Sequence, residues 1–319
     1  MTRPDLDAEY RQIREECGLL PRDERVSLAV KGPEAADYLQ GQLTNDIEAI
    51  EPGHGCYAAL LDRKGHLQSD MRVLRVSDDE IWVDVEASAA DAVFKHLNMY
   101  KIGRDVSVEK SGRKILSLVG PASLEVLGTS PGDEYRSTPA TIAGAECLVV
   151  ATDLGLDVIC GEGDAAAVRA ELESRKAVPV SASAVEILRV ESGRPRFGAE
   201  MNEKNMPAEA GIVEQAVSFT KGCYIGQEPV ARLHYKGSPN RHLRGLRFDG
   251  PVSTGDPVRL GDRELGSVGT AVLSPATGSI GIAILRKEAE PGVTVEVGDA
   301  DSPSSAEVVE LPFREEPFA

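Results

Sequence analysis

The sequence predicts an α+β fold: two related α/β modules followed by a small β-barrel. A unit of strand, Gly-Pro corner and helix occurs twice, as RVSLAVKGPEAADYL (25–39) and KILSLVGPASLEVL (114–127). A supersecondary unit that recurs marks a repeated module, here a sheet with helices packed on it. From Arg241 the texture changes to short strands between Gly/Asp turns (HLRGLRFDG, DPVRLGDRELGSVG, SIGIAILR, VTVEVG), the pattern of a small barrel. At 319 residues the chain is too long for one typical core. The expected division is 1–110, 111–240 and 241–319, with the first helix free to pack on the second module.

Taken in order, Asp5 to Cys17 reads as a helix that stops at Gly18 as its C-cap. In both repeated units the helix is expected to start on the proline, whose fixed φ suits a first turn. GCYAALLD and HLQSDMRVLRV form a hairpin across Asp62-Arg63-Lys64-Gly65, followed by the strand EIWVDVE and the helix ASAADAVFKHLNMY. The second module adds the strands ECLVVAT and LGLDVICG, then helices over 163–175 and 181–192. A short helix is expected from Gln227 to Tyr235, with Pro229 in its first turn. SSAEVVELPFREEPFA supplies a last strand and a loose acidic tail.

Composition is that of a globular chain, 41% apolar and 27% charged. No apolar stretch approaches the ~20 residues of a membrane span, so no membrane partner is expected. MTRPDLDAEYRQIREEC lacks the apolar core of a signal peptide, and a cytoplasmic location is expected. Cysteines at 17, 56, 147, 160 and 223 show no CxxC spacing, so neither a zinc ribbon nor a four-cysteine cluster held by this chain alone is expected. A net charge of -17 argues against bulk nucleic-acid binding. Lys221, Arg232, Lys236, Arg241, Arg244 and Arg247, against the single acid Glu228, read as a local stripe for an anion.

The densest chemistry lies in KGCYIGQEPVA (221–231). It places Lys221 and Cys223 on a loop feeding a helix N-terminus, where free N–H groups and the dipole favour anions. A thiol there, beside a lysine, loses its proton more easily than a free cysteine. Cys223 is therefore the expected functional cysteine, and the other four read as packing.

The string K-G-C-Y-x-G-Q-E resembles the signature of the YgfZ family, folate-binding proteins related to the glycine-cleavage T-protein, an aminomethyltransferase. VKGPEAADYLQGQLTNDI, HGCYAALLDRKGH, LRVESGRPRFGAEM and GSVGTAVLSP…SIGIAILR resemble T-protein segments in order and spacing. The resemblance covers nearly the whole chain and implies a GcvT-like folate-binding fold, three domains around a channel that holds tetrahydrofolate or a one-carbon derivative. It places Tyr57 beside the pterin and Asp157 where a carboxylate meets the pterin's amidine-like edge. Arg189 and Glu191 match the family's Arg-x-Glu pair. Tyr224, Gln227, Glu228 and Arg232, in or beside the signature, are carried over as further folate contacts.

One departure stands out. T-proteins carry two adjacent aspartates after Gly-Gly-x-x, the first acting on the folate. Here Ser69 takes the first position and Asp70 the second. Serine is no base near neutral pH, so T-protein-type aminomethyl transfer is expected to be absent, with Asp70 the near substitute. The branch resemblance implies instead support of iron–sulfur cluster assembly or repair and of tRNA-modifying enzymes, with iron–sulfur proteins or cluster carriers as partners. There Cys223, activated by Lys221 and its helix terminus, would touch a cluster, a thiol or the folate's one-carbon unit. The alternative is a folate-dependent aminomethyltransferase, with Asp70 the candidate base.

Overall fold

The computed structural model describes residues 3–129 and 131–314. Its elements run α1 (Arg3–Glu15), β1 (Gly18–Pro21), β2 (Arg25–Lys31), α2 (Ala35–Gln42), β3 (His54–Leu61), β4 (Leu67–Ser77), β5 (Glu80–Glu86), α3 (Ala87–Tyr100) and β6 (Ser107–Lys110). Then come β7 (Arg113–Val119), α4 (Ser123–Leu127), β8 (Ser137–Ile142), β9 (Ala145–Thr152), β10 (Gly155–Gly161), a 3-10 turn (Glu162–Asp164), α5 (Ala165–Ser174), β11 (Val178–Pro179) and α6 (Ala182–Glu191). Short α7 (Val213–Ala216) and α8 (Gln227–Lys236) precede strands β12 (Arg241–Phe248), β13 (Pro257–Leu260), β14 (Arg263–Ser267), β15 (Thr270–Ser274), β16 (Gly278–Arg286), β17 (Thr294–Val297) and β18 (Ser304–Val309).

The repeat predicted from sequence is real in the backbone. Gly32 and Gly120 turn the corner at φ +129° and +127°, and a Cβ on either would lie 2.2 Å from a carbonyl oxygen, that of Asp105 or of Glu16. Only glycine fits such a corner. The helices begin at Ala35 and Ser123 and not on the prolines, because Pro33-Glu34 and Pro121-Ala122 form a turn first. Gly18 does not cap α1. It opens β1, where a Cβ would lie 2.5 Å from Ile13 Cγ2, so its role is close packing.

The central strands of the first two sheets, β2, β5, β7 and β10 among them, bury both faces. The first sheet runs β3-β4-β5-β2-β6, all antiparallel; the second runs β11-β1-β7-β10-β9-β8, antiparallel except for β1 with β11. Side chains alternate between faces. In β2, Leu28 and Val30 join the core under α2 and α3, and Ala29 points the other way. There Ala29, Leu74 and Trp82 of the first sheet meet Ile115, Leu148, Val150 and Ile159 of the second. The layers are thus helix, sheet, sheet, helix, with α4 and α5 packed toward the second sheet's outer core.

The chain crosses between these layers twice. Its N-terminal β1 belongs to the second sheet, and α1 packs on α6 through Tyr10 and Ile13. Conversely Phe197, Met201, Ile212, Tyr224 and Val230 fill the core of the first module. The third sheet, β14-β13-β17-β18-β12-β16-β15, wraps its own apolar core of Leu246, Val258, Leu285 and Val308. After β18 the chain is anchored: Phe313 N donates to Glu191 O at 2.9 Å, and Leu311 and Phe313 pack near Val190. The rest of the expected acidic tail, 315–319, lies outside the described residues. Among the described residues no helix is long and apolar enough to cross a membrane.

Candidate functional site

At one end the interface between the two sheets stops being apolar. On the same face as Ala29, Leu74 and Trp82, period-two alternation sets Arg25 and Ser27 on β2, Tyr57 on β3, Asp70 and Arg72 on β4, and Asp84 and Glu86 on β5. Tyr57, Arg72, Asp84 and Ser27 are register partners in a row across the sheet. Opposite them, Ser117 and Asp157 are register partners on β7 and β10.

Charge in this row is closely paired. Arg72 Nη1 donates to Asp157 Oδ2 at 2.6 Å and its Nη2 to Asp84 Oδ2 at 2.7 Å. Arg25 Nε donates to Asp84 Oδ1 at 2.8 Å and Arg25 Nη1 to Glu86 Oε1 at 2.9 Å. Ser117 Oγ donates to Asp157 Oδ1 at 2.5 Å. Burial by itself raises the Asp84 carboxyl, but the two arginines outweigh it and hold the group below its usual value. Asp70 differs. Burial dominates there and lifts its carboxyl, against the pull of Arg25 and of the Tyr57 hydroxyl, which donates to Asp70 Oδ2 at 2.7 Å.

Two cavities open on this row, of about 160 and 380 Å³, with Arg22, Arg25, Asp153, Leu154 and Arg194 in the walls of both. They form one cleft. Tyr57, Arg72 and Asp157 line the smaller part; Asp70, Glu86 and Arg189 line the larger. Two buried polar atoms of the cleft's side chains have no partner among the described residues, Asp70 Oδ1 and Arg72 Nε. A buried donor or acceptor left unmade is costly, so this pair points to a ligand carrying both a donor and an acceptor.

The glycine cleavage T-protein N-terminal domain model matches residues 2–221, and the C-terminal barrel domain model matches 241–314. The chain belongs to the glycine cleavage T-protein family. Its similarity to the aminomethyltransferase of Listeria monocytogenes serotype 4b (strain F2365) is 28% identity over 326 residues, covering 97% of this chain and 89% of that protein. With the aminomethyltransferase of Rubrobacter xylanophilus it is 27% identical over 323 residues, covering 97% and 86%. The fold matches that of the glycine cleavage system aminomethyltransferase T from Bartonella henselae, with a TM-score of 0.89 at 22% identity over 98% of this chain and 90% of that one.

In this T-protein fold the cleft gathers Tyr57, Asp70, Asp157 and Arg189 from three stretches of sequence: the β3–β4 hairpin, β10 and α6. It does not gather the rest of the expected set. Glu191 is only 2% exposed and accepts from Tyr10 Oη at 2.9 Å and from Ser274 Oγ, tying α1, α6 and the barrel together. Residues two apart on a helix face different ways, so the Arg-x-Glu pair divides between cleft and core. Arg189 itself is occupied, donating to Glu186, Glu200, Thr270 and the Arg194 carbonyl.

The signature loop also reads differently in three dimensions. Lys221 Nζ donates to the carbonyls of Gln40, Leu43 and Asn45 at 2.6, 2.7 and 2.8 Å. All its N–H groups are used, so it docks the loop on the end of α2 and does not activate Cys223. Tyr224 is buried in the first core, with the Lys221 ammonium 5.0 Å from its ring centroid. Cys223, Glu228 and Arg232 are exposed and Gln227 is half-buried; none lines the cleft. Nor do Lys236, Arg241 and Arg244 of the basic stripe, while Arg244 donates to the Ala289 carbonyl and Arg247 covers the Phe313 ring. Of the other cysteines Cys17, Cys147 and Cys160 are buried and Cys56 half-buried, and burial pushes the thiols of Cys17 and Cys56 up to about 12.

Gly226 shows why the signature needs its glycine. It sits at φ +84° at the N-cap of α8, and a Cβ would lie 2.5 Å from the Asp62 carbonyl oxygen, in the β3–β4 turn. Gly226→Ala is expected to destabilise the protein by about 2 kcal/mol or more, read as a lower denaturant midpoint at unchanged slope. An unchanged midpoint would mean that α8 does not depend on this contact.

Sequence reasoning missed Arg25, Arg72 and Asp84. The signal was present: in EIWVDVE and DMRVLRV, Asp84 and Glu86 alternate on the same face as Trp82, and Asp70 and Arg72 on the same face as Leu74, so charges of both signs gather at one end of an apolar face.

Proposed function

We propose that this protein binds a tetrahydrofolate in the inter-sheet cleft and catalyses folate-dependent transfer of an aminomethyl-type one-carbon group. The observation that carries the reading is Asp70. It is a carboxylate 6% exposed in the wall of the larger cavity, raised by burial, held by Tyr57, with one oxygen left without a partner among the described residues. Ser69 is not a defect in this site. It is fully buried on the opposite face of β4, its hydroxyl turned to the Asp70 carbonyl. Adjacent residues of a strand face opposite ways, so one carboxylate can serve the cleft from this pair, and Asp70 is that one.

The residues present suit a folate. Bound there, tetrahydrofolate supplies the amine that accepts the one-carbon group. Tyr57 offers an aromatic wall at the smaller cavity. Asp157 keeps a second lone pair on each oxygen after Arg72 and Ser117 have taken theirs, enough for a ring edge that donates two N–H bonds. Asp70 holds or releases a proton at Oδ1 with a basicity above that of an ordinary carboxylate. Arg22, Arg194 and Arg196 stand in the walls of the cleft, where a glutamate tail would run, whereas Arg232, Lys236, Arg241 and Arg244 of the anion stripe line neither cavity.

The aminomethyltransferase relatives support this reading over the iron–sulfur one. A second reading, support of iron–sulfur and tRNA-modifying enzymes, keeps one structural observation, the exposed thiol of Cys223 on the docked signature loop. Calorimetry with tetrahydrofolate followed by turnover of an aminomethyl donor separates the two. Binding with turnover is the expected result. Binding without turnover would leave the second reading standing, and no binding would remove both.

A further inference from the structure

Resting on the folate reading above, we propose that Arg72 is a specificity-determining residue. With Asp157 it reads the lactam edge of the ring, so that the cleft selects a 4-oxo pterin over a 4-amino one. Arg72 lies on the first sheet and Asp157 on the second, joined by an ion pair at 2.6 Å, and both line the smaller cavity. Their side chains are each 9% exposed. The pair sets a strong donor directly beside a strong acceptor. Arg72 Nη1 spends one of its two N–H groups on Asp157 and Nη2 one on Asp84, so the second N–H of Nη1 stands beside the Asp157 carboxylate.

A lactam carries a carbonyl next to an N–H. It therefore offers an acceptor and a donor in the order that complements Arg72 beside Asp157. The 4-amino analogue replaces the carbonyl by an amine, and the adjacent ring nitrogen loses its proton. In the same pose its amine meets the guanidinium donor to donor, and the second N–H of Nη1 is left facing another donor. Sites built on buried polar groups discriminate strongly against ligands that leave them unpaired. A salt bridge that merely clasped the two sheets would show no preference between the two rings.

The test is calorimetry on the full chain with tetrahydrofolate and its 4-amino-4-deoxy counterpart, which differ only at that position. Wild type is expected to bind the 4-oxo compound at least about tenfold more tightly. Arg72→Lys keeps the charge facing Asp84 and Asp157 but removes the planar fork that fixes a second N–H beside Asp157, and the preference is expected to shrink toward unity in it. Equal affinity, or tighter 4-amino binding, in wild type would overturn the role of Arg72 while leaving the folate reading intact. So would an undiminished preference in a folded Arg72→Lys variant. Failure of both compounds to bind wild type would overturn the folate reading and this role with it.

Discussion

Asp70→Asn is expected to lower folate-dependent transfer by about 10²–10⁴-fold, the usual loss when a positioned acid–base group is removed. The amide keeps the shape of the carboxylate and can still accept from Tyr57 Oη, so tetrahydrofolate should bind within a few-fold of wild type. The loss should fall on kcat and kcat/KM together, as for an interaction made only in the transition state. The pH dependence follows from burial. Asp70 has its carboxyl raised above the ordinary aspartate value of 3.8, chiefly by desolvation. The acidic limb of kcat/KM should therefore lie above the range of an ordinary carboxylate, and Asp70→Asn should abolish it. The same shift favours the folded state fully below pH 3.8, and that advantage is lost as pH rises through the folded value. Near pH 7 wild type thus bears the cost of a buried charge that the amide avoids, and Asp70→Asn should be at least as stable as wild type. A variant that is inert but no less stable is the signature of a group kept for chemistry. Transfer at near wild-type rates in Asp70→Asn would sink the assignment.

Much of this site was open to reading in one dimension, and the exceptions share a cause. The repeated Gly-Pro corner, the β3–β4 hairpin and the change of texture at Arg241 are local patterns, and each formed as read. Tyr57 and Asp157 follow from the family resemblance and do reach the cleft. What failed was inference from adjacency in sequence. Ser69 and Asp70, Arg189 and Glu191, and Lys221 and Cys223 are each neighbours in the chain, and the fold turns each pair apart. A strand reverses face at every residue, and a helix turns by more than half a circle over two. Lys221 looked like an activating charge because the carbonyls it serves, 40 to 45, lie far back in the sequence. Arg72 was overlooked because its partners, Asp84 and Asp157, sit on two other strands, one of them in the other module.

Those distant carbonyls make Lys221→Met the change with the largest expected effect on stability. Lys221 is 9% exposed and its three hydrogen bonds, at 2.6 to 2.8 Å, go to Gln40 and Leu43 at the end of α2 and to Asn45 just beyond. Carbonyls at a helix C-terminus lack partners within the helix, and a cation there also suits the dipole. Burial lowers the Lys221 ammonium to about 8, which still leaves it mostly protonated at pH 7. Methionine keeps the stem but returns three buried acceptors to an unmade state, each worth on the order of 1 kcal/mol or more. The expected loss is about 3 kcal/mol, seen as a lower denaturant midpoint. Arginine should recover little, because its flat fork cannot converge three donors on one point. Loosening should be greatest in the loop, so proteolysis near 219–226 should accelerate before the rest of the chain opens. Tetrahydrofolate affinity should change little in the molecules that remain folded, since Lys221 lines neither cavity. Wild-type stability in Lys221→Met would show that the signature lysine is not what docks the loop. A selective loss of folate affinity with stability intact would return it to the binding site.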